Sequence, residues 1–108
     1  MTPRDLVQTL LNVPEEQGRQ LLQNAVPIFS DGARDRLIYQ IKKEADRSWN
    51  SNAKLSFILS GYLLLISDLT SNSYYRALGL MARGDALRRL DRDQEAIPFL
   101  DAAGEEFL

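Results

Sequence analysis

The sequence predicts an all-α fold of about six helices. Apolar residues recur at helical spacing along the chain, as Leu37, Ile41 and Ala45 do at intervals of four. Clusters of proline, glycine, serine and asparagine separate these apolar stretches and mark turns and helix caps. No segment shows the sustained alternation of apolar and polar residues that a half-buried strand requires. Strands are therefore not expected.

Turn and cap residues divide the N-terminal half into three predicted helices. The first covers 3–11, because Thr2 is a suitable N-cap and a proline follows it. The second covers about 14–26, opening with a proline and two glutamates that complement the positive end of the helix dipole. The third covers 33–48. The charged side chains on its polar face are predicted to be solvated; they are Arg36, Lys42, Lys43, Asp46 and Arg47.

The C-terminal half predicts three more helices. The fourth covers about 53–68 after an N-cap at Ser51 or Asn52, and it is apolar nearly all round. A helix of that kind must be covered on several sides, so it is expected at the centre of the fold. The fifth follows the cap signal at 70–73 and ends in the basic run 88–92, and the sixth begins near Asp93.

Composition argues against several classes of function. The 108 residues carry a net charge of −2 and include neither cysteine nor histidine. Nucleophilic catalysis through Ser–His or Cys–His pairs and thiolate metal sites are thereby excluded, and we expect no enzyme, cofactor or metal site. The most apolar stretch, 55–66, is shorter than the roughly 20 residues of a membrane span. We expect a cytoplasmic protein without a membrane partner.

The spacing of large and small residues between 77 and 108 resembles one tetratricopeptide repeat, a helix–turn–helix unit of about 34 residues. Large, small and large residues on the first helix precede small, large and small residues on the second; they are Leu80, Gly84, Leu87, Ala96, Leu100 and Ala103. Arg83 stands where the family usually has leucine. The resemblance implies a right-handed α-α superhelix of helical hairpins.

The resemblance also implies a division of residues 1–108 as a single domain. Residues 70–108 form the repeat-like hairpin, 33–69 a degenerate repeat hairpin and 1–32 an N-terminal capping hairpin. The repeat pattern continues to Leu108 without a cap signal. We therefore expect the chain to resemble the N-terminal repeats of a larger, bacterial-type tetratricopeptide-repeat protein.

A protein-binding scaffold is the function that this resemblance implies. In such arrays the first helix of each hairpin lines a concave groove, which here presents Leu78, Met81, Asp85, Arg88 and Arg89. The expected partner is a protein, a peptide or a downstream domain of the same chain. Phe107 lies on the uncovered C-terminal helix, where a homodimer contact is also expected.

Nucleic-acid binding is the alternative function. It would use a C-terminal arginine cluster, Arg83, Arg88, Arg89 and Arg92, to contact phosphates. The acidic overall balance and the interleaved aspartates speak against it, so nucleic acid is not an expected partner. Trp49, which closes the apolar stripe of the third helix, is predicted to be a core residue rather than a platform for stacking bases.

Overall fold

The computed structural model describes residues 1–107, with side chains for residues 1–105. Its helices are α1 (Pro3–Leu10), α2 (Glu15–Ala25), α3 (Asp31–Ser48), α4 (Ala53–Thr70), α5 (Ser73–Arg89) and α6 (Asp93–Phe107). The described residues form no β-strand. The prediction of an all-α fold with six helices is confirmed.

Short polar side chains fix where four of the helices begin. The Thr2 hydroxyl accepts the Asp5 N–H at 3.1 Å, and the Asp5 carboxylate accepts the Thr2 N–H at 3.4 Å, which completes a capping box. The side chains of Ser30, Asn52 and Asn72 accept the N–H three residues ahead at 3.2, 3.1 and 2.9 Å. Each cap satisfies a backbone donor that the helix itself leaves unpaired.

Two boundaries differ from the predicted ones by more than a residue. α3 begins at Asp31, earlier than the predicted 33, and α4 continues past 68 to Thr70. α4 ends there because Ser71 adopts a left-handed backbone with a φ of 52°. α5 ends at Arg89, inside the basic run 88–92 where its end was predicted, and Asp91 in the following turn has a φ of 59°. Left-handed residues of this kind commonly stop helices.

α4 is the central helix. It packs extensively against α3 and α5, and it also contacts α2. Its sequence is long and apolar enough to cross a membrane by composition alone, with a mean hydropathy of 1.3, but half of those residues are buried inside the fold. Leu59, Tyr62, Leu63 and Ile66 are all buried. This central position confirms the prediction made from its apolar circumference.

The pair α5 and α6 approaches closely at Gly84. A Cβ atom at this position would lie 2.6 Å from the Leu100 side chain and 3.4 Å from the Ala96 carbonyl oxygen. Ala96 and Ala103 are themselves buried at this interface. The small residues at 84 and 96 therefore allow α5 and α6 to approach closely.

The first two helices cover the core separately. α1 packs chiefly against α3, and α2 packs against α4, whereas α1 and α2 contact each other at few positions. Leu6 and Leu10 of α1 and Leu22 of α2 are buried in the same hydrophobic core as the central helix. The Tyr62 hydroxyl of α4 donates to the Glu15 carbonyl oxygen at 3.4 Å, which holds the start of α2 in place.

Candidate functional site

A groove runs between α3 and α5, which contact each other at few positions although both pack against α4. We call it the α3–α5 groove. One half encloses a cavity of about 420 Å³. The other half is a smaller opening of about 250 Å³. The first half is lined by Asp35, Ile38, Tyr39, Lys42, Tyr74, Tyr75 and Leu78, and the second by Asp46, Trp49 and Asp85.

Helical periodicity brings these side chains to one surface. From Asp35 to Asp46 the lining residues of α3 recur every three or four positions, with Ile38 and Tyr39 adjacent, and Trp49 follows directly after the helix. On α5 Leu78 and Asp85 are separated by seven. Residues with that spacing lie on the same face of a helix, one turn above the next. The two lined faces therefore oppose each other along most of the length of α3 and α5.

Two exposed tyrosines flank the larger cavity. Tyr39 of α3 is 68% exposed and Tyr74 of α5 is 60% exposed. Between them Ile38 is buried and Leu78 is partly buried, which gives the cavity an apolar floor. Tyrosine can bury a large apolar ring and keep its hydroxyl hydrogen-bonded, so it is enriched at protein interfaces. This half of the groove is therefore lined by exposed aromatic side chains over apolar ones.

Tyr75 ties the two walls together at the same end. Its hydroxyl donates to the Asp35 carboxylate across 40 residues of sequence. Burial raises the pKa of Tyr75 to about 12, and the hydrogen bond to Asp35 adds to that increase. The tyrosine therefore stays neutral, and remains a donor, well above physiological pH.

Lys42 and Asp46 form an ion pair in the middle of the groove. The Lys42 Nζ lies 2.6 and 2.8 Å from the two Asp46 carboxylate oxygens. Only 17% of the Lys42 side chain is exposed, against 58% for Asp46. The prediction that Lys42 is solvated is therefore wrong: its aliphatic stem lies in the groove and its ammonium group reaches the carboxylate at the rim.

Trp49 and Asp85 close the far end. The Trp49 indole N–H donates to the Asp85 carbonyl oxygen at 3.0 Å, and the Arg89 guanidinium carbon lies 4.1 Å from the centroid of the indole ring. Burial raises the pKa of the Asp85 carboxyl group, an effect that Lys42 and Arg88 oppose and Asp46 reinforces. Trp49 is only partly buried, so it packs at the groove end with one face covered by Arg89 rather than deep in the core.

The residues predicted to bind a partner occupy different parts of this surface. Leu78 and Asp85 line the groove. Met81 is partly buried, Arg88 is exposed at the end of α5, and Arg89 borders the groove by stacking on Trp49 and bonding Asn50. The sixth predicted residue, Phe107, lies outside the side chains that the structure describes.

Sequence reasoning missed the α3 wall. Tyr39, Lys42 and Asp46 were not among the predicted partner-binding residues, and neither was Tyr74 of α5. A signal for Tyr39 was present, because it lies beside the stripe of Leu37, Ile41 and Ala45 without belonging to it. A large aromatic residue outside the core stripe of an amphipathic helix indicates a second contact surface.

The four arginines of the alternative function differ in their contacts. Arg83 is partly buried against Phe57, and Arg89 stacks on Trp49. Arg92 pairs with Glu95 at 2.5 and 2.7 Å, and only Arg88 lacks a described contact other than its charge effect on Asp85. Arg83 and Arg92 both lie near the Phe57 ring, whereas Arg88 and Arg89 lie in the last turn of α5.

In the described part of the chain no three acidic residues lie together in an arrangement that would hold a metal ion. The chain matches no model of a protein family, no curated protein and no solved structure.

Proposed function

We propose that this protein is a non-catalytic interaction module that binds a segment of a partner protein in the α3–α5 groove. The observation that carries the proposal is the cavity of about 420 Å³ between two exposed tyrosines, Tyr39 and Tyr74, over an apolar floor. Tyrosine is among the residues that contribute most to protein–protein binding energy when a partner covers it.

The tetratricopeptide resemblance supports the same surface. In that family the first helices of consecutive hairpins line a concave groove, and α3 and α5 are the corresponding helices here. The close approach of α5 and α6 at Gly84 also agrees with the size pattern of the repeat. We infer a right-handed superhelical arrangement of the pairs α3–α4 and α5–α6, serving as a scaffold rather than as a catalyst.

The wider setting is part of the proposal. The partner is a protein, a peptide or a downstream domain of the same chain. The cysteine-free composition fits a reducing compartment, so we propose a cytoplasmic location. Self-association through Phe107 remains a prediction.

Peptide selection tests the proposal directly. A random peptide library displayed on phage is selected against the protein, and the enriched peptides are measured by fluorescence anisotropy. The double variant Tyr39→Ala and Leu78→Ala removes the rim and the floor of the larger cavity. We expect it to weaken binding by about 2 kcal/mol or more, a typical loss for interface anchors.

The control is Ile97→Ala, which removes another exposed apolar side chain, 51% exposed, from α6. It should leave the affinity of the selected peptides unchanged. Peptides that bind the groove variant as tightly as the unmodified protein would show that the interaction surface lies elsewhere. Salt-dependent binding of a random-sequence DNA duplex, lost with Arg88→Ala, would favour the alternative function.

A further inference from the structure

Arg83 is a partly buried cation held only by neutral groups. Its Nε donates to the Ser60 hydroxyl at 3.2 Å and its Nη2 donates to the Phe57 carbonyl oxygen at 3.4 Å. The guanidinium carbon lies 4.0 Å from the centroid of the Phe57 ring. In the part of the chain that the structure describes, no carboxylate lies within ion-pair distance of it. Burial without a carboxylate in direct contact is unusual for arginine, because desolvating a cation is unfavourable.

The main chain leaves room for this guanidinium. A Cβ atom at Gly61 of α4 would lie 2.9 Å from the Arg83 Nη2. The absence of that atom lets the planar group lie flat against α4, between Gly61 and the Phe57 ring. With Nε and one Nη2 hydrogen engaged, both Nη1 hydrogens and the second Nη2 hydrogen remain available as donors. One Nη1 hydrogen and the second Nη2 hydrogen form the outer edge of the guanidinium, which is already oriented by its other contacts.

Charged residues of α2 and of the turn before α6 act on the Arg83 guanidinium. Burial is the main cause that lowers the pKa of Arg83; Glu15 raises it, and Arg19 and Arg92 lower it further. Arg92 lies 5.9 Å from the Phe57 ring centroid and is paired with Glu95. Three arginines face two glutamates, so one positive charge has no partner among them.

We propose that the free guanidinium edge of Arg83, between α4 and α5 and next to Arg92, is a binding site for a ligand carboxylate. A single carboxylate matches the unpaired positive charge and accepts two parallel hydrogen bonds from the Nη1–Nη2 edge. A phosphate, with nearly twice the charge, would leave the site negative. The site is distinct from the α3–α5 groove, because Arg83 lies roughly 140° around α5 from Leu78. It does not depend on the function proposed for that groove.

The test follows the Arg83 Nε–H resonance in a ¹H–¹⁵N spectrum of the labelled protein. Sodium acetate replaces sodium chloride at constant ionic strength, and the Arg83 signal is assigned by its loss in Arg83→Lys. We expect a saturable shift of the Arg83 signal with acetate, while the signal of the exposed Arg36 stays in place. Equal shifts of both signals, or no shift beyond that in chloride, would overturn the proposal.

Two further arms decide whether the geometry and the ligand class are right. Gly61→Ala displaces the guanidinium and should weaken acetate binding by about tenfold or more, as expected for charge-assisted hydrogen bonds; Gly104→Ala, where a Cβ meets no described atom within 4 Å, should not. Unchanged binding in folded Gly61→Ala would contradict the proposed site. If Gly61→Ala fails to fold, acetate-dependent thermal stabilisation is compared between the unmodified protein and Arg83→Leu, which should lose it. Inorganic phosphate binding more tightly than acetate would overturn the carboxylate assignment.

Discussion

At the scale of single residues, the hydrogen bond between Tyr75 and Asp35 couples one end of the α3–α5 groove to pH. The folded protein raises the pKa of Tyr75 from 10.0 to about 12, chiefly through burial. The folded state therefore holds its phenolic proton more tightly than the unfolded state does. The resulting contribution to stability is complete below pH 10 and is lost as the pH rises towards 12.

Replacing Tyr75 by phenylalanine tests this coupling. Tyr75→Phe should reduce the free energy of unfolding at pH 7 by about 1–2 kcal/mol, because the Asp35 carboxylate loses its donor. It should also flatten the decline in stability between pH 10 and 12. Urea denaturation at a series of pH values measures both effects.

The control is Tyr39→Phe, which removes a hydroxyl from an exposed tyrosine. It should change neither the stability at pH 7 nor its decline at high pH. If Tyr75→Phe shows the same alkaline decline as the unmodified protein, titration of Tyr75 does not cause that decline.

At the scale of helices, the contact of α5 with α6 depends on glycine at position 84. Gly84→Ala places a Cβ 2.6 Å from the Leu100 side chain, so the two helices must move apart or Leu100 must change rotamer. We expect a loss of about 1–3 kcal/mol in the free energy of unfolding, the usual effect of overpacking. Thermal and urea denaturation measure it.

Gly104→Ala is the matched substitution on α6. Its Cβ would have no neighbour within 4 Å among the residues that the structure describes, and alanine is a better helix former than glycine by about 0.5–1 kcal/mol. This variant should therefore be slightly more stable than the unmodified protein. Equal effects of the two substitutions would contradict the close approach at Gly84.

The start of the central helix depends on Asn52, whose side chain accepts the Leu55 N–H at 3.1 Å. Asn52→Ala should destabilise the protein by about 1 kcal/mol, the typical effect of losing an N-cap. Ser51→Ala, one position earlier, should have little effect. The comparison by urea denaturation also tests which of the two predicted residues caps α4, and a larger effect at Ser51 would contradict the structure.

Helix positions were predictable from sequence because the signals are local. Caps such as Asn52 and Asn72 lie within three residues of the N–H groups they accept. The groove was only half predictable, since its walls meet through long-range contacts such as Trp49 with Asp85, 36 residues apart. Lys42 looked like a solvated charge because its sequence neighbours do not reveal that α5 lies opposite. Helical spacing assigns a residue to a face but does not identify what that face contacts.

At the scale of the whole molecule, the fold separates two surfaces. In the α3–α5 groove, tyrosines and apolar side chains line a cavity of about 420 Å³. On the opposite flank of α5, Arg83 packs against α4. Both surfaces depend on α4, because α3 and α5 are positioned by packing against it. Because the two surfaces lie on different flanks of α5, binding at one should leave the other accessible.

We propose above that the α3–α5 groove binds a segment of a partner protein. The most direct test of this proposal is a ¹H–¹⁵N titration of the labelled protein with a peptide selected against it. We expect the largest shifts of backbone amide signals at Tyr39, Lys42, Tyr74 and Leu78. The amide signals of the exposed face of α6 around Ile97 should not shift. Shifts concentrated on α6, or on α2 and the Arg83 flank, would contradict it.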